Sequence, residues 1–495
     1  MQDLPKKHNV AEDEASEKFI EEEITKHDQA KDNSKLEDSS DFHRYVLSAA
    51  LAAGFLGLGA SIMILGLALP TLAENLHKTI NDLSLVLIVR GGGYVSGSFI
   101  AGALESKVDF YYLITISLLM MAVGMILTSM ILNVASFYIC TAISSIGMGG
   151  VETVANVLCL YLWGKKSEPV LQFLHFWFCF GHAITPFLAK PFLNEVLHNS
   201  SLHNNSSSAV TITSFQNITF IEDTTLPLVC VPYFVIAGFL MTVIIFLLPL
   251  KLFFSLNLTN TKHEHTIEQE ETSYRYTMLF LIFLIYFFLM GGQVVLATFL
   301  YKFAISEKPG PAYTRDVASD LNAVLFFLVL IGQFFAIFWS QKFSPEKILA
   351  ADFLGVGISA IAMLFYPLYS EAVPTLIWIA VAVLGFSQTS IYASMFLWAN
   401  RYITINGSAA AVFIFGGSLG EMVLTIPVGL LIEDHVLSLL YFHCGYVFAL
   451  ILMYLVTLKF AKTKGERSLK HNPTELDKLQ TQSNPKLDPL EQAKV

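Results

Sequence analysis

Residues 45–72 read YVLSAALAAGFLGLGASIMILGLALPTL and contain no charged side chain. A helix rises about 1.5 Å per residue, so roughly 20 such residues already cross the hydrocarbon core of a bilayer. Only helices and closed barrels satisfy the backbone in lipid, and barrel strands are near ten residues long with alternating polarity. The stretch is continuous and apolar, which predicts a membrane-spanning helix.

Eleven more apolar runs of this kind follow along the chain. With the first, they lie near residues 45–72, 82–104, 110–131, 135–162, 170–193, 228–254, 276–301, 318–340, 347–369, 373–399, 408–432 and 436–460. A polar stretch at 255–275 separates six runs from six and is interpreted as a cytoplasmic linker. This layout is typical of a duplicated transporter, and the letters FCFG at 178–181 and FIFG at 413–416, in the fifth run of each half, support it. The predicted fold class is therefore an all-α membrane protein with twelve transmembrane helices in two six-helix halves, residues 44–254 and 276–460.

The composition excludes several other classes of protein. Charged residues make up 14% of the chain, against about 25% in a soluble domain, and the net charge is −10. An acidic balance excludes a basic nucleic-acid binder, and 40 Phe with 19 Tyr are too many for a disordered chain. No nucleophile elbow, P-loop or zinc-ligand spacing is present, so neither an enzyme nor a metal site is predicted. Much of the acidity lies in residues 1–43, which we expect to form a disordered cytoplasmic tail, and residues 461–495 form a second cytoplasmic tail.

Lys and Arg are distributed unevenly between the two sides of the membrane. If the N-terminus is inside, about 18 of them lie at the inner side and about four at the outer side. Both termini are therefore expected to be cytoplasmic, in a multi-pass protein of the plasma membrane. The longest connection, near 194–227, then lies outside and has no Lys or Arg. It carries four Asn-x-Ser/Thr sequons, which are candidate glycosylation sites: Asn199, Asn204, Asn205 and Asn217.

Ionisable groups inside a membrane are costly, at about 2.5–3.5 kcal/mol per central charge, so each is a candidate functional residue. The candidates are Arg90 in the second span, Glu152 in the fourth, His182 in the fifth and Glu421 in the eleventh. Glu152 and Asn156 stand four residues apart on one helical face and offer the acceptors and donors that a polyol needs.

Uncharged polar side chains also occur at membrane depth, in the second half. The tenth span has an unusually polar patch at 387–390, followed by Tyr392, and the seventh span contains Gln293. Within the patch, Gln388 is a candidate for lining a cavity. The alternative for all of these groups is hydrogen bonding between helices, worth about 0.6 kcal/mol on average.

Several stretches of the chain resemble a known family. They are RGGGYVSGSFIAG from Arg90, GGVETVANV from Gly149, LQFLHF from Leu171, PFLAKPFL from Pro186 and LWANRYITINGSAAAVFIFGGSLGEMVLTIPVG from Leu397. On these stretches the chain resembles the major facilitator superfamily and, within it, the sodium-dependent glucose transporter 1 branch. The resemblance covers most of residues 44–460.

The resemblance implies facilitated or sodium-coupled uptake of glucose or a related small polar solute, by alternating access around a central cavity. It also places the second span beside the eleventh, which implies an ion pair between Arg90 and Glu421 across the halves. The candidate solute-binding residues are then Glu152, Asn156, His182, Gln293, Gln388 and Tyr392.

Three functional alternatives remain. The first is a monomeric carrier of a hexose-like solute, with no cofactor other than a possible coupled sodium ion. The Gly-Arg pair that the branch usually has in the eighth span is Gly332-Gln333 here, which leaves the ion coupling open. The second is a proton-coupled carrier of another small solute, in which Glu152, His182 or Glu421 titrates. The third is a non-transporting membrane receptor or scaffold whose acidic tail binds a partner.

Overall fold

The computed structural model describes residues 10–79, 83, 85–130, 133–193, 228–253, 272–369, 373 and 375–463. Side chains are described from Phe42 onward, except at 165 and 251–253. The helices of this part of the chain are α1 Val10–Asn75, α2 Leu85–Leu104, α3 Phe110–Ser129, α4 Val134–Trp163, α5 Ser167–Ala189, α6 Cys230–Phe253, α7 Thr272–Ile305, α8 Arg315–Trp339, α9 Pro345–Tyr369, α10 Leu376–Ser387, α11 Ile391–Tyr402, α12 Gly407–Leu431 and α13 Ser438–Lys462. The four sequons, most of the 255–275 linker and most of the 461–495 tail lie outside the described residues.

Each of the twelve predicted spans corresponds to helical structure, and most edges agree to within one helical turn. Eleven stretches of the described residues are long and apolar enough to cross a membrane. The helix of the fifth predicted span, α5, is not among them, because Gln172, His175 and His182 make it more polar. It packs against α8 in the same bundle. The tenth predicted span consists of α10 and α11, which are separated by a break at 388–390.

The chain divides into two compact units, Met1–Ala49 and Ala50–Val495. In the first unit, α1 already begins at Val10, so the expected disorder of the acidic tail is wrong from that residue onward. The tail is rich in Glu and Lys, which have high helix propensity, and this local preference outweighs the lack of apolar residues.

The two halves of the second unit repeat the same helix pairing. In the first half, Gly181 of the FCFG sequence in α5 lies against the Leu56 carbonyl oxygen of α1, where a Cβ would collide with that oxygen. In the second half, Gly416 of the FIFG sequence in α12 lies in the same way against the Phe283 carbonyl oxygen of α7. Small residues allow such close approach of two backbones. The packing therefore supports the internal duplication that the two short sequences suggested.

The halves meet along α2 with α12 and along α5 with α8. The α12 helix begins at Gly407 because the Asn406 side chain accepts a hydrogen bond from the Ala409 backbone N–H at 3.0 Å. Arg275 of α7 donates to the same Asn406 oxygen at 3.2 Å and so fixes this start. At this point Gly102 of α2 packs directly on the Gly407 backbone. The contact between Gly102 and Gly407 therefore fixes the position of α2 against α12 at one end of the interface between the halves.

Candidate functional site

Glu152 lies deep within α4 and receives hydrogen bonds from both halves of the bundle. Tyr94 of α2 donates to Oε2 at 2.5 Å, and Tyr392 of α11 donates to Oε1 at 2.7 Å. All three side chains are half-buried, so they keep accessible surface although they lie far from the ends of the bundle. Each oxygen of the carboxylate is occupied by a phenol from a different half, and Glu152 therefore links the halves at their centre.

Aromatic rings fix Tyr392 against this carboxylate. The Tyr286 hydroxyl of α7 donates to the Tyr392 carbonyl oxygen at 2.8 Å, and the two ring centroids are 4.8 Å apart. The imidazole of His175 in α5 lies 4.9 Å from the Tyr392 ring, and Phe413 of α12 stacks on Tyr286 at 5.4 Å. Rings from three helices thus hold the phenol that reaches across to Glu152.

The break between α10 and α11 brings two predicted site residues together. Gln293 of α7 donates from Nε2 to the Gln388 carbonyl oxygen at 3.3 Å. The amide oxygen of the Gln388 side chain is buried and has no hydrogen-bond partner among the described residues. A buried polar atom without a partner costs about 1–3 kcal/mol, so this oxygen is an acceptor that a solute hydroxyl can satisfy.

Arg90 and Glu421 lie on the neighbouring helices α2 and α12. The residues next to them, Gly91 and Met422, pack together, with the missing Cβ of the glycine 3.0 Å from the sulfur. The Arg90 guanidinium and the Glu152 carboxyl group both lie within electrostatic range of the Glu421 carboxyl group. No ion pair within 4.0 Å joins Arg90 and Glu421 among the described residues, so the ion pair between them stays a prediction. Two carboxylates and one guanidinium nevertheless share the central region.

His182 and Asn156 make no hydrogen bond to the central carboxylate. His182 of α5 has its Nδ1 3.4 Å from the Phe178 carbonyl oxygen and lies close to Gly59 of α1. Asn156 lies one turn beyond Glu152 on α4 and is fully buried. Neither atom of its amide has a hydrogen-bond partner in the described part of the chain. The roles of both residues in solute binding stay predictions.

Polar contacts between the halves continue from this centre toward the end of the bundle where α2 and α11 stop. Glu105, just after α2, accepts from the Gly407 backbone N–H at 2.6 Å and from the Tyr161 hydroxyl at 3.0 Å. Its carboxylate lies at the N-terminus of α12, where the helix dipole favours negative charge. The rise of α2 between Tyr94 and Glu105 places this contact about 16 Å from the centre.

Arg401 ties three helices together at the same end. Its Nη2 lies 2.9 Å from Glu168 Oε1 of α5, and its Nη1 lies 3.1 Å from Glu346 Oε2 of α9. Glu168 belongs to the first half and Glu346 to the second, so the guanidinium of Arg401 connects the halves. We refer to the end defined by Glu105 and Arg401 as the Arg401 end.

Buried amides close the space between the centre and the Arg401 end. Gln172 of α5 donates to the Ser394 hydroxyl of α11 at 3.0 Å, and Gln333 of α8 donates to Gln172 Oε1 at 2.7 Å. All three side chains are buried. Gln172 shares a helical face with His175 and His182, so the phase of α5 is the sequence signal that indicates its inward position.

Two polar side chains, one in the central site and one beside it, escaped the sequence analysis. Tyr94 follows Arg90 by one helical turn, and a tyrosine in an apolar span carries no special signal. Asp352 of α9 is buried and accepts a hydrogen bond from Ser390 in the break. It is an acid inside a predicted span, which is a signal that could have indicated it. In the described part of the chain, no three His, Cys, Asp or Glu side chains are grouped as a metal site.

The chain has the sequence pattern of the Major Facilitator Superfamily over residues 50–425. It belongs to that superfamily. Sodium-dependent glucose transporter 1A of Mus musculus is 29% identical over 388 residues, which cover 77% of this chain and 88% of the relative. Sodium-dependent glucose transporter 1 of Homo sapiens is 29% identical over 389 residues, which cover 77% of this chain and 72% of the relative. The resemblance that the sequence motifs indicated is thereby confirmed.

Two solved structures from the superfamily share the fold. FucP, a crystal structure in the outward conformation, has a TM-score of 0.65 at 18% identity, over 86% of this chain and 99% of FucP. The proton:xylose symporter XylE, bound to 6-bromo-6-deoxy-D-glucose, has a TM-score of 0.64 at 12% identity, over 86% of this chain and 97% of XylE. The predicted fold class is confirmed, and this member of the superfamily is a multi-pass integral membrane transporter.

Proposed function

We propose that this transporter moves a hexose, glucose or a related sugar, by alternating access between its two halves. The observation that carries the proposal is Glu152, whose carboxylate oxygens are held by phenols from opposite halves. A solute hydroxyl that replaces Tyr392 at Glu152 removes a contact between the halves and adds one to the solute. Solute binding is thereby linked to the movement of one half relative to the other. The relatives that are named as glucose transporters support the choice of solute.

The chemistry of the centre suits a sugar. A hexose presents hydroxyl groups, which donate and accept hydrogen bonds, and C–H faces, which pack on aromatic rings. Glu152 and the Gln388 amide oxygen offer acceptors, and the phenols of Tyr94 and Tyr392 offer both donors and acceptors. The ring of Tyr286 adds an apolar surface beside them, as is common in small-molecule sites.

The sidedness follows from the distribution of Lys and Arg, which favours both termini in the cytoplasm. The Arg401 end is then the cytoplasmic end, and the contacts of Glu105, Arg401 and Gln172 close it. We infer that the conformation faces outward. The 194–227 connection and its sequons then lie outside, as expected of a glycoprotein of the plasma membrane.

We further propose that uptake is coupled to a monovalent cation, with sodium as the first candidate. Two carboxyl groups, those of Glu152 and Glu421, lie near the single guanidinium of Arg90. An uncompensated charge at membrane depth costs about 2.5–3.5 kcal/mol, and a cation that enters with the sugar removes that cost. The relatives that are named as sodium-dependent favour sodium over a proton. The proton is the second candidate, because a carboxylate such as Glu421 can take one up.

Reconstitution into proteoliposomes tests these proposals. Wild-type protein should show saturable uptake of radiolabelled glucose or another hexose, and an inward sodium gradient should raise the initial rate. Glu152→Gln keeps the size but not the charge of the side chain, and it should lower that rate at least tenfold. Glu433→Gln is the matched control, because Glu433 is largely exposed and only 3.7 Å from the exposed Lys302. Its rate should stay within about twofold of wild type, as expected for a surface ion pair.

The same assay separates the alternatives. Absence of saturable uptake for every hexose would contradict the sugar proposal. Stimulation by an imposed pH gradient, with no response to sodium, would assign the coupling to protons. A receptor or scaffold should lose its partner when residues 2–40 are deleted, whereas a carrier should keep its uptake.

A further inference from the structure

Asp352 is a buried carboxyl group that takes no part in the central site described above. It lies in α9, two turns after Pro345, and has 8% of its surface exposed. Its hydrogen-bond partner is the hydroxyl of Ser390, which belongs to the break between α10 and α11 and is 3% exposed. No ion pair reaches Asp352 in the described part of the chain. Burial of such a group is costly, so an apolar residue would pack here at lower cost if packing were its only role.

Two glycines clamp the same break by close contact. Gly355, one turn after Asp352 on α9, approaches the Ser387 hydroxyl so closely that a Cβ would not fit. Gly332 of α8 approaches the Phe386 carbonyl oxygen, which lies 2.5 Å from the place of the missing Cβ. The end of α10 is therefore held on two sides by van der Waals contact. Beyond it, the hydrogen bond from Ser390 to Asp352 fixes the break to α9.

The break presents two solute-binding candidates to the centre. Gln388 lies two residues before Ser390, where its carbonyl oxygen accepts from Gln293 and its amide oxygen is unpartnered. Tyr392 lies two residues after Ser390, where its hydroxyl donates to Glu152. Gln388 and Tyr392 are thus each two residues from Ser390, whose hydroxyl donates to Asp352, and they flank it on either side in the sequence.

We propose that Asp352 is a positioning residue for the solute, although it lies outside the central site. Its hydrogen bond to Ser390 fixes the turn that aims Gln388 and Tyr392 at the solute. The inference rests on the proposed function for the identity of the solute. The geometry that it asserts, a turn held in place from α9, does not depend on which solute is carried.

The chain offers a matched control on the same helix face. Ser359 of α9 is fully buried, and its hydroxyl donates to the Ala380 carbonyl oxygen of α10 at 2.8 Å. Ser359→Ala therefore removes a buried hydrogen bond between α9 and the same span without touching the break. Asp352→Asn is the conservative variant, because its amide oxygen still accepts a hydrogen bond from Ser390.

The first readout is the KM for glucose against the maximal rate per reconstituted transporter. Asp352→Ala and Ser390→Ala should each raise KM about five- to tenfold, with the maximal rate within about twofold, because the loosened turn weakens solute binding equally in the ground state and the transition state. The double variant should be no worse than either single one, since the two residues act through one hydrogen bond. Asp352→Asn and Ser359→Ala should keep KM within about twofold of wild type.

The second readout measures the position of the turn without any sugar. The five native cysteines are replaced, and Gln388→Cys is introduced as a reporter. Gln388 is 7% exposed, so a methanethiosulfonate reagent should modify the new thiol slowly. Asp352→Ala or Ser390→Ala should raise that rate at least fivefold, whereas Ser359→Ala should leave it unchanged.

The outcomes separate this inference from the proposed function. An unchanged thiol reactivity in both Asp352→Ala and Ser390→Ala overturns the inference, whether or not the protein carries sugar. A raised reactivity in a protein without hexose uptake supports the positioning and contradicts the proposed solute. A loss in Asp352→Asn as large as in Asp352→Ala also overturns it, because the charge and not the acceptor would then matter. If Asp352→Ala does not fold, Ser390→Ala and Asp352→Asn decide by the same measurements.

Discussion

Arg401 pairs with one carboxylate from each half, Glu168 and Glu346, and this arrangement allows the link between the halves at the Arg401 end to be tested by two matched substitutions. Glu168→Gln should weaken the only one of the two Arg401 pairs that crosses between the halves, while Glu346→Gln weakens the one within the second half. Both changes replace a carboxylate by an amide of the same size on the same partner. The position of the lost charge is then the only difference that bears on opening of this end.

The size of the effect can be worked out from the geometry. A hydrogen bond to a charged group contributes about 1.5–3 kcal/mol, roughly twice a neutral one, and the amide oxygen of the variant still accepts from Arg401. Arg401 and Glu168 are 32% and 18% exposed, so solvent reduces the difference to about 1 kcal/mol. Since 1.4 kcal/mol is a factor of ten, Glu168→Gln should shift the ratio of closed to open conformations about fivefold toward open. Glu346→Gln should change that ratio less than twofold, because the pair across the halves remains.

Pulsed electron spin resonance between two labels measures this ratio. Lys107, just after α2, and Lys342, between α8 and α9, are exposed, lie in different halves and take no part in the contacts of Arg401. Labelled cysteines at these positions should give a short-distance population in the wild type. Glu168→Gln should increase the long-distance population, and added salt should reduce the difference because it screens the pair. Equal distance distributions for Glu168→Gln and Glu346→Gln would refute the claim that Arg401 closes this end.

Three further predictions follow from the packing and the topology. Gly149→Val should lower the melting temperature in detergent by more than ten degrees or prevent folding, because a Cβ would collide with the Tyr94 carbonyl oxygen. The control Gly238→Ala should be tolerated, because a Cβ there meets nothing within 4 Å. Gln172→Leu removes the side-chain acceptor of the buried Gln333 amide, which then keeps only the backbone carbonyl oxygen of residue 172 at 3.2 Å. The loss of that acceptor should destabilise by about 1–3 kcal/mol, and adding Gln333→Leu should recover part of that loss. Glycosidase treatment should increase the gel mobility of protein from eukaryotic cells. Asn→Gln at all four sequons of 194–227 should abolish this increase. An increase that persists in that variant would contradict an outer location of the 194–227 connection.

Much of the fold could be predicted because the bilayer limits the choices. An apolar run of about 20 residues has one main interpretation, and the runs from 82–104 to 436–460 match helices closely. The break inside the tenth span was not predicted, since its polar patch at 387–390 is compatible with a regular helix. The helical tail from Val10 was also missed, because low hydrophobicity was weighed above local helix propensity.

The candidate site was predictable only where a charged group or an amide stands out against an apolar background. Glu152 and Gln388 stood out in this way, and the structure brings each of them to a partner from another helix. Tyr94 did not, since tyrosine is common in membrane helices and its role depends on a contact between α2 and α4. Asp352 is an acid in an apolar span and could have been noticed, but its partner Ser390 is 38 residues away and no periodicity along α9 shows that pairing.

Counterflow tests the central claim most directly, because it detects a carrier without any ion gradient. Proteoliposomes are loaded with unlabelled glucose and diluted into a trace of labelled glucose. Parallel experiments use unlabelled and labelled fucose, and unlabelled and labelled xylose. A carrier in which Glu152 links the sugar to the movement of the halves predicts transient accumulation of label by the wild type and by Glu433→Gln, and loss of accumulation in Glu152→Gln. Absence of accumulation for every sugar in folded wild-type protein, or full accumulation in Glu152→Gln, would contradict the claim.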